Sequence, residues 1–285
     1  MDIQFFLPGL ICIVVALLIM FRLMHYAHFY ASSYFFWIGA IITLIGIISL
    51  IHPLAFLFIF NRIIAVFVTL GGMLISIISL LCPTKEKHSP TNNLEIDKLL
   101  PDYTFNEFHD VLLNASPEKA KQALQTTGVN DIPAAHLLMK TRGIARKNKY
   151  TDMSDRAAKS QADSESFSTP DFNFFVPAPD EFITVMIIKS NMLSKKSELP
   201  APPEIKTLEQ FQSFNAPGYI KVAANFRFID KGNNKTLLST ETRNQGTTLN
   251  DNRIFARYWR MVYPGSAIIR RVWLDTIKKE AGKNR

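Results

Sequence analysis

Residues 219–243 read YIKVAANFRFIDKGNNKTLLSTETR, and this stretch decides the fold of the larger part of the chain. Its first half alternates apolar and polar residues, which is the period of a strand with one buried face. The KGNN at 231–234 supplies a tight turn, and residues 235–243 return antiparallel. The sequence therefore predicts a β-hairpin, and its inward face comprises Ile220, Val222, Ala224, Phe226 and Phe228.

The inward face of the returning strand depends on a register that the sequence leaves open. If Phe228 pairs with Leu238, the two threonines of LSTETR face inward, while Glu241 and Arg243 point to solvent. If Phe228 pairs with Leu237, Glu241 lies inside, where desolvation would raise its pKa and make it a candidate general base. The threonines make the better half-buried face, so we expect the first register.

Downstream of the hairpin, the apolar period becomes that of a helix. From Phe255 to Trp273, apolar and small residues recur at alternating spacings of four and three, and basic residues occupy the opposite phase. Pro264 falls in the middle, so we expect the helix to kink or to restart with Ser266 as a new N-cap. An antiparallel sheet must bury one face, and this helix is able to cover it.

Residues 101–214 carry further strand and helix signals. A short helix is expected to begin at Ser116-Pro117, where proline suits the first turn, and a second is expected at about 131–141. The polar stretch at about 143–170 is typical of a mobile loop inside a domain. Strand signals cover residues 105–113, 172–176, 181–188 and 211–214. The fold class is therefore predicted to be α+β.

The first 82 residues have a different composition from the rest of the chain. They hold one acid and two bases, whereas the other 203 residues carry 30 bases and 23 acids. Apolar runs at about 5–21, 34–51 and 63–82 are each long enough for a transmembrane helix. Residues 83–100 are polar, include two prolines and are expected to form a linker before a soluble domain at 101–282. This composition excludes a single soluble enzyme.

Basic residues near the helix ends predict the orientation. With the N-terminus outside, Arg22, Lys85 and Lys87 lie on the inner side and only Arg62 lies outside. We therefore expect a multi-pass membrane protein whose C-terminal domain is cytoplasmic.

Four segments of the soluble part resemble a known superfamily. They are PDYTFNEFHDVLLNASPEKAKQAL at 101–124, IPAAHLLMKTRG at 132–143, LSTETR at 238–243 and FARYWRMVYPGSAIIRRVWLDTIKKEA at 255–281. Together they look like a bacterial branch of the SRPBCC superfamily, which includes START lipid-transfer domains, polyketide cyclases and the birch-pollen-allergen fold. The resemblance implies a helix-grip fold with an apolar cavity between the sheet and the final helix, and a place in the bacterial inner membrane.

A cavity of this kind favours a membrane-anchored module that binds or transfers a hydrophobic small molecule or a lipid without covalent chemistry. Each buried methylene group is worth ~0.8 kcal/mol, so a cavity for an acyl chain could compete with the bilayer. The residues expected to contact the ligand are Val222, Ala224, Phe226, Phe228, Thr240, Tyr258 and Trp259.

Two alternatives remain open. The first is a cyclase, aromatase or hydrolase that uses Glu241 and Tyr258, since the superfamily holds enzymes as well as binders. The second is a non-catalytic interaction scaffold with a filled core. No metal site, cofactor or nucleic-acid partner is expected from the motifs present.

The excess positive charge of the soluble part is concentrated at its end. Residues 253–285 hold nine bases and two acids, whereas residues 83–252 hold 21 of each. On a domain tied to a bilayer, such a stripe could contact anionic lipid headgroups, and a solvated helix face is the alternative. The predicted membrane-surface residues are Arg253, Arg257, Arg260, Arg271 and Lys278.

Overall fold

A computed structural model describes residues 3–27, 30–89, 93–127, 166–168, 173–191 and 199–283 of the 285-residue chain. The chain divides into two compact units. The first unit comprises Met1–Pro83 together with Ala256–Ala267. The second unit comprises Thr84–Phe255 together with Ile268–Arg285.

The first unit is helical. It contains α1 (Ile3–Ala27), α2 (Ala31–Ile51), a short 3-10 helix (Ala55–Leu57) and α3 (Arg62–Leu81). In the described part of the chain, α2 and α3 are long and apolar enough to cross a membrane, as predicted for the second and third spans. The first predicted span lies within α1, and its crossing of the membrane stays a prediction.

Small residues allow α2 and α3 to pack closely. A Cβ atom added to Gly39 would lie 2.5 Å from Ser76 Oγ, and one added to Gly72 would lie 2.5 Å from the Thr43 backbone nitrogen. Both distances are shorter than real Cβ contacts, so the two helix backbones approach only because side chains are missing there. Gly71, one residue away, faces open space.

The segment Ala256–Ala267 completes the first unit through specific hydrogen bonds. Arg260 Nη1 donates to the Leu80 carbonyl at 2.8 Å and Nη2 donates to the Cys82 carbonyl at 2.6 Å. Trp37 Nε1 donates to the Met261 carbonyl at 3.1 Å. The last carbonyls of a helix have no intrahelical donor, and the guanidinium supplies one. Arg260 is therefore buried at the end of α3, which corrects its prediction as a membrane-surface residue.

The second unit is built on antiparallel strands. Its helices are α4 (Glu95–Leu99), α5 (Pro117–Thr126), α6 (Leu208–Ser213) and the two ends of α7 (Leu249–Ala281). Its strands are β1 (Lys87–His88), β2 (Asp102–Tyr103), β3 (Phe105–Leu113), β4 (Ser166–Ser168), β5 (Asn173–Ala178), β6 (Glu181–Lys189), β7 (Tyr219–Asp230) and β8 (Thr236–Gly246). Strands β1 and β2 pair, and the other six form one sheet in the order β3-β8-β7-β6-β5-β4. This architecture confirms the α+β class with an antiparallel sheet and a long C-terminal helix.

The central hairpin has the first of the two registers considered. Phe228 pairs with Leu238, so the side chains at 238, 240 and 242 share a face with Phe226 and Phe228. The turn between β7 and β8 contains Gly232, Asn233 and Asn234, all with positive φ. Glycine and asparagine adopt this left-handed conformation more readily than other residues, which explains why the hairpin turns here.

The inner face of the sheet and part of its outer face are covered by helices of the second unit. The inner face carries Phe226 and Phe228 and packs against α5 and the C-terminal end of α7. The outer face carries Ile183, Ile187 and Ala223 and packs against α4 and α6. On the outer face of β3, by contrast, Phe108 and Leu112 remain exposed.

The covered outer face explains two differences from the expected elements. Residues 95–99, expected in a linker, form α4 and bury Ile96 and Leu99 against the sheet. Residues 211–214, expected as a strand, contribute to α6, in which Phe211 is fully buried. Each segment is too short to show a helical period, and burial against the sheet decides its structure.

The long helix α7 is continuous through its proline. Thr248 is the N-cap and accepts a hydrogen bond from the Asp251 backbone nitrogen at 3.1 Å. Pro264 lies inside the helix, so of the two alternatives the restart at Ser266 is wrong, and a kink at the proline stays a prediction. A missing N–H is tolerated where the surrounding contacts hold the helix on both sides of it.

The predicted start of the first short helix is confirmed. Helix α5 begins at Pro117, and the Ser116 side chain accepts from the Lys119 backbone nitrogen at 3.4 Å. The second short helix expected at 131–141 lies outside the described residues. Of the loop expected at 143–170, only Ser166–Ser168 is described, and it forms β4.

Candidate binding site on the inner face of the sheet

Residues paired across neighbouring strands form rows on the inner face, and three of these rows define the candidate site. Side chains directly opposite one another have Cβ atoms about 5 Å apart. The His109 row contains His109, Thr240, Phe226 and Phe182; the Glu107 row contains Glu107, Thr242, Ala224 and Thr184; the Phe105 row contains Phe105, Asn244, Val222 and Met186.

A buried carboxylate and a buried imidazole lie side by side in these rows. Glu107 Oε1 is 3.0 Å from His109 Nε2, and both side chains are almost completely buried. Within the described part of the chain, His109 Nδ1 has no hydrogen-bond partner. If Nε2 carries the proton that Glu107 accepts, Nδ1 is a vacant acceptor.

A guanidinium lies over the same two rows. Arg270 of α7 donates from Nη1 to Thr240 Oγ1 at 3.2 Å and from Nη2 to Thr242 Oγ1 at 2.6 Å. Its centre is 5.8 Å from the Phe226 ring and 5.7 Å from the Trp273 ring, within range of a cation–π interaction. Among the described carboxylates, none forms an ion pair with Arg270. Burial lowers the pKa of Arg270, and the nearby charge of Glu107 opposes that shift.

Access to the inner face differs between its two ends. The aromatic and leucine side chains packed against the end of α7 are inaccessible to solvent. Only 0–3 % of the surface of Phe226, Leu238 and Phe228 is exposed. Four residues of the Glu107 and Phe105 rows keep 6–8 % exposure, namely Val222, Ala224, Thr184 and Thr242. Arg270 is only half-buried. The small side chains of the Glu107 row therefore keep a little accessible surface, which Phe226 and Leu238 do not.

Five of the predicted ligand residues share the inner face. Val222, Ala224, Phe226, Phe228 and Thr240 all lie there and are all buried. Tyr258 and Trp259 belong instead to the first unit, where the Trp259 ring contacts the Tyr263 ring at a centroid distance of 5.6 Å. The five sheet residues therefore belong to the second unit, and the two aromatic residues of α7 belong to the first.

Glu241 and Arg243 lie on the outer face of the sheet, as the first register predicts, but they do not point to solvent. Arg243 is buried, and it donates from Nε and Nη2 to the two carboxylate oxygens of Glu241 at 3.0 and 3.1 Å. Its guanidinium also lies 4.7 Å from the Tyr103 ring. Helix α4 covers Arg243, whereas Glu241 is half-buried and keeps some contact with solvent. Glu241 is thus engaged in an ion pair on the face opposite the candidate site, and Tyr258 lies in the other unit.

A second outer-face carboxylate has a structural role. Glu181 is buried and accepts hydrogen bonds from the Glu95 and Ile96 backbone nitrogens at 2.9 and 3.2 Å. It also accepts from Asn225 Nδ2 at 2.7 Å. These bonds satisfy the free N–H groups at the start of α4, so the sheet itself caps this helix.

The predicted basic stripe is exposed only in part. Arg253, Arg257 and Lys278 are exposed, whereas Arg271 is half-buried and donates to the Asp110 carbonyl at 3.0 Å. With Arg260 buried against α3, three of the five predicted surface residues keep a side chain that can reach a partner.

Two cavities lie elsewhere in the second unit. One of about 370 Å³ lies beside the start of α7 and is lined by residues including Gly218, Thr248 and Asp251. Another of about 130 Å³ lies between α5 and the end of α7. The predicted ligand residues line neither cavity. Asp251 accepts hydrogen bonds from the Gly218 nitrogen and the Thr248 hydroxyl, and so completes the helix cap.

The sequence contained a signal for the site residues that the ligand prediction left out. Glu107 and His109 are in phase with Phe105 and Leu113 on the apolar side of β3. Polar residues at positions that should be buried indicate either a hydrogen-bonded core or a functional site. Arg270 gives the same signal, because it lies four residues after Ser266 and three before Trp273, on the apolar side of α7.

Among the described residues, no group of three or more histidine, cysteine, aspartate or glutamate side chains could hold a metal ion. No protein-family model matches the chain, and no curated protein and no solved structure matches it significantly.

Proposed function

We propose that the protein is a membrane-anchored module that binds a hydrophobic small molecule or lipid, without covalent chemistry, on the inner face of its sheet. The observation that carries the proposal is the 6–8 % of their surface that Val222, Ala224 and Thr242 keep beside the buried polar pair Glu107 and His109. Ligand sites are typically apolar and contain a few placed polar groups, and the Glu107 row supplies such groups. The sheet and final helix are also in keeping with the helix-grip resemblance, which we retain as part of the proposal.

The membrane part of the proposal rests on composition. Helices α2 and α3 are long and apolar enough to span a bilayer, and we propose that α1 is a third span with the N-terminus outside. A tether of this kind holds the binding face near its source of ligand and raises the effective concentration of that ligand. Exposed Arg253, Arg257 and Lys278 would each gain about 1 kcal/mol beside anionic headgroups.

The test is to identify what the intact protein carries. The full chain is extracted in a mild detergent and analysed by native mass spectrometry for a retained small molecule. We expect a bound amphiphile in the wild type and its loss in Ala224→Trp, because the new ring would occupy the space beside Thr242. Ala224→Leu adds less bulk and should lose only part of the ligand.

The matched control is Arg227→Trp, which places the same ring on the same strand but on the outer face, where Arg227 is partly exposed. It should retain the ligand. Thermal unfolding of each variant separates loss of ligand from loss of fold. Equal ligand content in wild type, Ala224→Trp and Ala224→Leu, all folded, would contradict the proposal.

One observation favours a second candidate function, an enzyme of the cyclase or hydrolase type. The hydrogen bond from His109 to Glu107 orients the imidazole, and its other nitrogen has no partner among the described residues. This arrangement is suited to a general base, with Glu107 as the positioning residue. If it operates, His109→Gln should retain a small molecule of different mass from that in the wild type. An identical mass in both variants would contradict the enzyme and leave binding as the only supported function.

A further inference from the structure

We propose that the inner-face site takes an amphiphile with a carboxyl head, and that Arg270 holds this head with His109 as its second contact. The inference rests on the proposed function and names the ligand class of the same site. Its basis is the Arg270 guanidinium, which forms no ion pair with a described carboxylate, next to a buried imidazole nitrogen that has no hydrogen bond within the described part of the chain.

Arg270 has donors to spare. A guanidinium carries five N–H groups, and the two threonine hydroxyls accept from one group on each terminal nitrogen. The planar arrangement of the remaining groups matches a carboxylate, which guanidinium groups bind through two parallel hydrogen bonds. The threonines fix the guanidinium over the sheet, so the head is positioned by a side chain that is itself held.

The same two threonines place the imidazole beside this head. Thr240 is paired directly with His109, and Thr242 is paired directly with Glu107. A group bound to the Arg270 guanidinium therefore lies above the two β3 residues, within reach of a nitrogen that lacks a partner. A carboxyl oxygen there would satisfy a buried polar atom whose isolation is otherwise unfavourable.

Charge balance selects a carboxyl over other heads. Among the described residues, the charged and titratable groups facing the site include Glu107 and His109 from β3 and Arg270 from α7, while β8 and β7 contribute threonines, alanine and phenylalanine. The positive charge of Arg270 offsets the negative charge of Glu107. A ligand carboxylate adds one more negative charge, and a proton shared between the ligand and His109 Nδ1 would offset it. A phosphate monoester would bring a second negative charge next to Glu107, and an amine would face Arg270.

Small side chains lie beside the head. Ala224 and Thr184 continue the Glu107 row across the sheet, and Val222 follows in the next row. These are the positions that keep some accessible surface, whereas the side chains of Phe226 and Phe228 are almost completely buried. The tail is therefore expected to run from Arg270 over the small residues, away from Phe228.

The experiment compares four probes with the same sixteen-carbon chain on the full-length protein in nanodiscs. The probes are hexadecanoic acid, its methyl ester, hexadecanol and hexadecylamine, measured by displacement of a fluorescent fatty acid. We expect the acid to bind at least about tenfold more tightly than the ester, since hydrogen bonds to a charged group are of that strength. Arg270→Gln should abolish this preference and leave the ester affinity unchanged.

Arg271→Gln is the matched control, because Arg271 is the next residue and donates to the backbone of β3 rather than to the site. It should keep the preference for the acid. A second variant, Thr242→Val, removes a partner of Arg270 without removing charge and should reduce the preference several-fold. Thr242→Val can therefore still test the inference if Arg270→Gln does not fold.

The outcomes separate the inference from the proposed function. If the ester and the acid bind with equal affinity in the wild type, the hydrophobic site stands and the carboxyl head is excluded. Equal effects of Arg270→Gln and Arg271→Gln would also exclude it. If no probe binds and no endogenous ligand is retained, the proposed function fails as well.

Discussion

Arg243 donates a hydrogen bond to the carboxylate of Asp97 at 2.7 Å, joining two residues that are 146 positions apart in the chain. Arg243 lies on β8 and Asp97 on α4, and both side chains are buried. Asp97 also accepts from the Ser89 hydroxyl at 2.6 Å. The pair attaches α4 to the outer face of the sheet, and a charge buried in this way is tolerated only with its partners in place.

Replacing Arg243 by methionine should therefore destabilise the second unit strongly. The variant keeps the bulk of the side chain but leaves Asp97 as a buried charge without its cation, a change that costs about 3–5 kcal/mol in comparable cases. Urea unfolding of the detergent-solubilised full chain, with hydrogen exchange at residues 95–99, measures the loss. The control Arg227→Met removes a partly exposed pair with Asp180 and should cost no more than about 1 kcal/mol. Equal losses in the two variants would show that burial of the Arg243 pair is unimportant.

The same carboxylate gives a pH dependence with a definite sign. Burial alone would raise the pKa of Asp97, but hydrogen bonds from Ser89 and Arg243 outweigh it and hold the pKa below its usual value. A lowered pKa in the folded state contributes stability above the ordinary aspartate value of about 3.9, and this stability is lost as pH falls through the folded pKa.

Asp97→Asn is the variant that tests this dependence. The difference in unfolding free energy between wild type and Asp97→Asn should be constant from pH 6 to 8, which is ~2 units or more above that value. It should shrink progressively below about pH 4. A difference that grows towards acid pH would contradict the assigned direction of the shift.

The fold of the hairpin and the long helix could be predicted because each is a local pattern. The alternation from Ile220 to Phe228 selects the strand, and Gly232 with two asparagines selects the turn. The register followed from comparing which residues of LSTETR suit a buried face. These features depend on nearest neighbours along or across one hairpin, and the sequence contains that information.

The outer face could not be predicted in the same way. Whether Arg243 meets solvent depends on α4 and α6, two helices of five and six residues that show no period of their own. Their helical structure depends on contacts with the sheet, such as the bonds from Glu95 and Ile96 to Glu181. Long-range burial of this kind overrides local propensity.

The candidate site was predictable only in its apolar part. The stripe from Val222 to Phe228 identified the inner face, but Glu107 and His109 were assigned merely to a strand. Their importance follows from pairing with Thr242 and Thr240 and from Arg270 above them. Because that pairing joins residues more than 130 positions apart, a single sequence gives no direct sign of it.

Adjacent glycines in α3 allow a sharp test of helix packing in the first unit. Gly72→Ala would place a methyl group 2.5 Å from the Thr43 backbone nitrogen, so the helices must separate, at a cost of about 1–3 kcal/mol. Gly71→Ala faces open space and should be neutral or stabilise the helix by up to about 1 kcal/mol. Unfolding by SDS in mixed micelles measures both. A greater loss for Gly71→Ala than for Gly72→Ala would rule out the α2–α3 packing described.

Arg260 provides the last prediction, because the sequence suggested one role for it and its contacts indicate another. Arg260→Met removes the donors to the Leu80 and Cys82 carbonyls at the end of α3, and losing two hydrogen bonds from a charged, partly buried group costs about 1–3 kcal/mol. The exposed Arg257, three residues earlier on the same helix, is the control, and Arg257→Met should change stability by less than about 0.5 kcal/mol. Hydrogen exchange at residues 79–82 should rise in the first variant only. If Arg257→Met has the larger effect, Arg260 does not cap α3, and the surface role predicted from its charge becomes the better explanation.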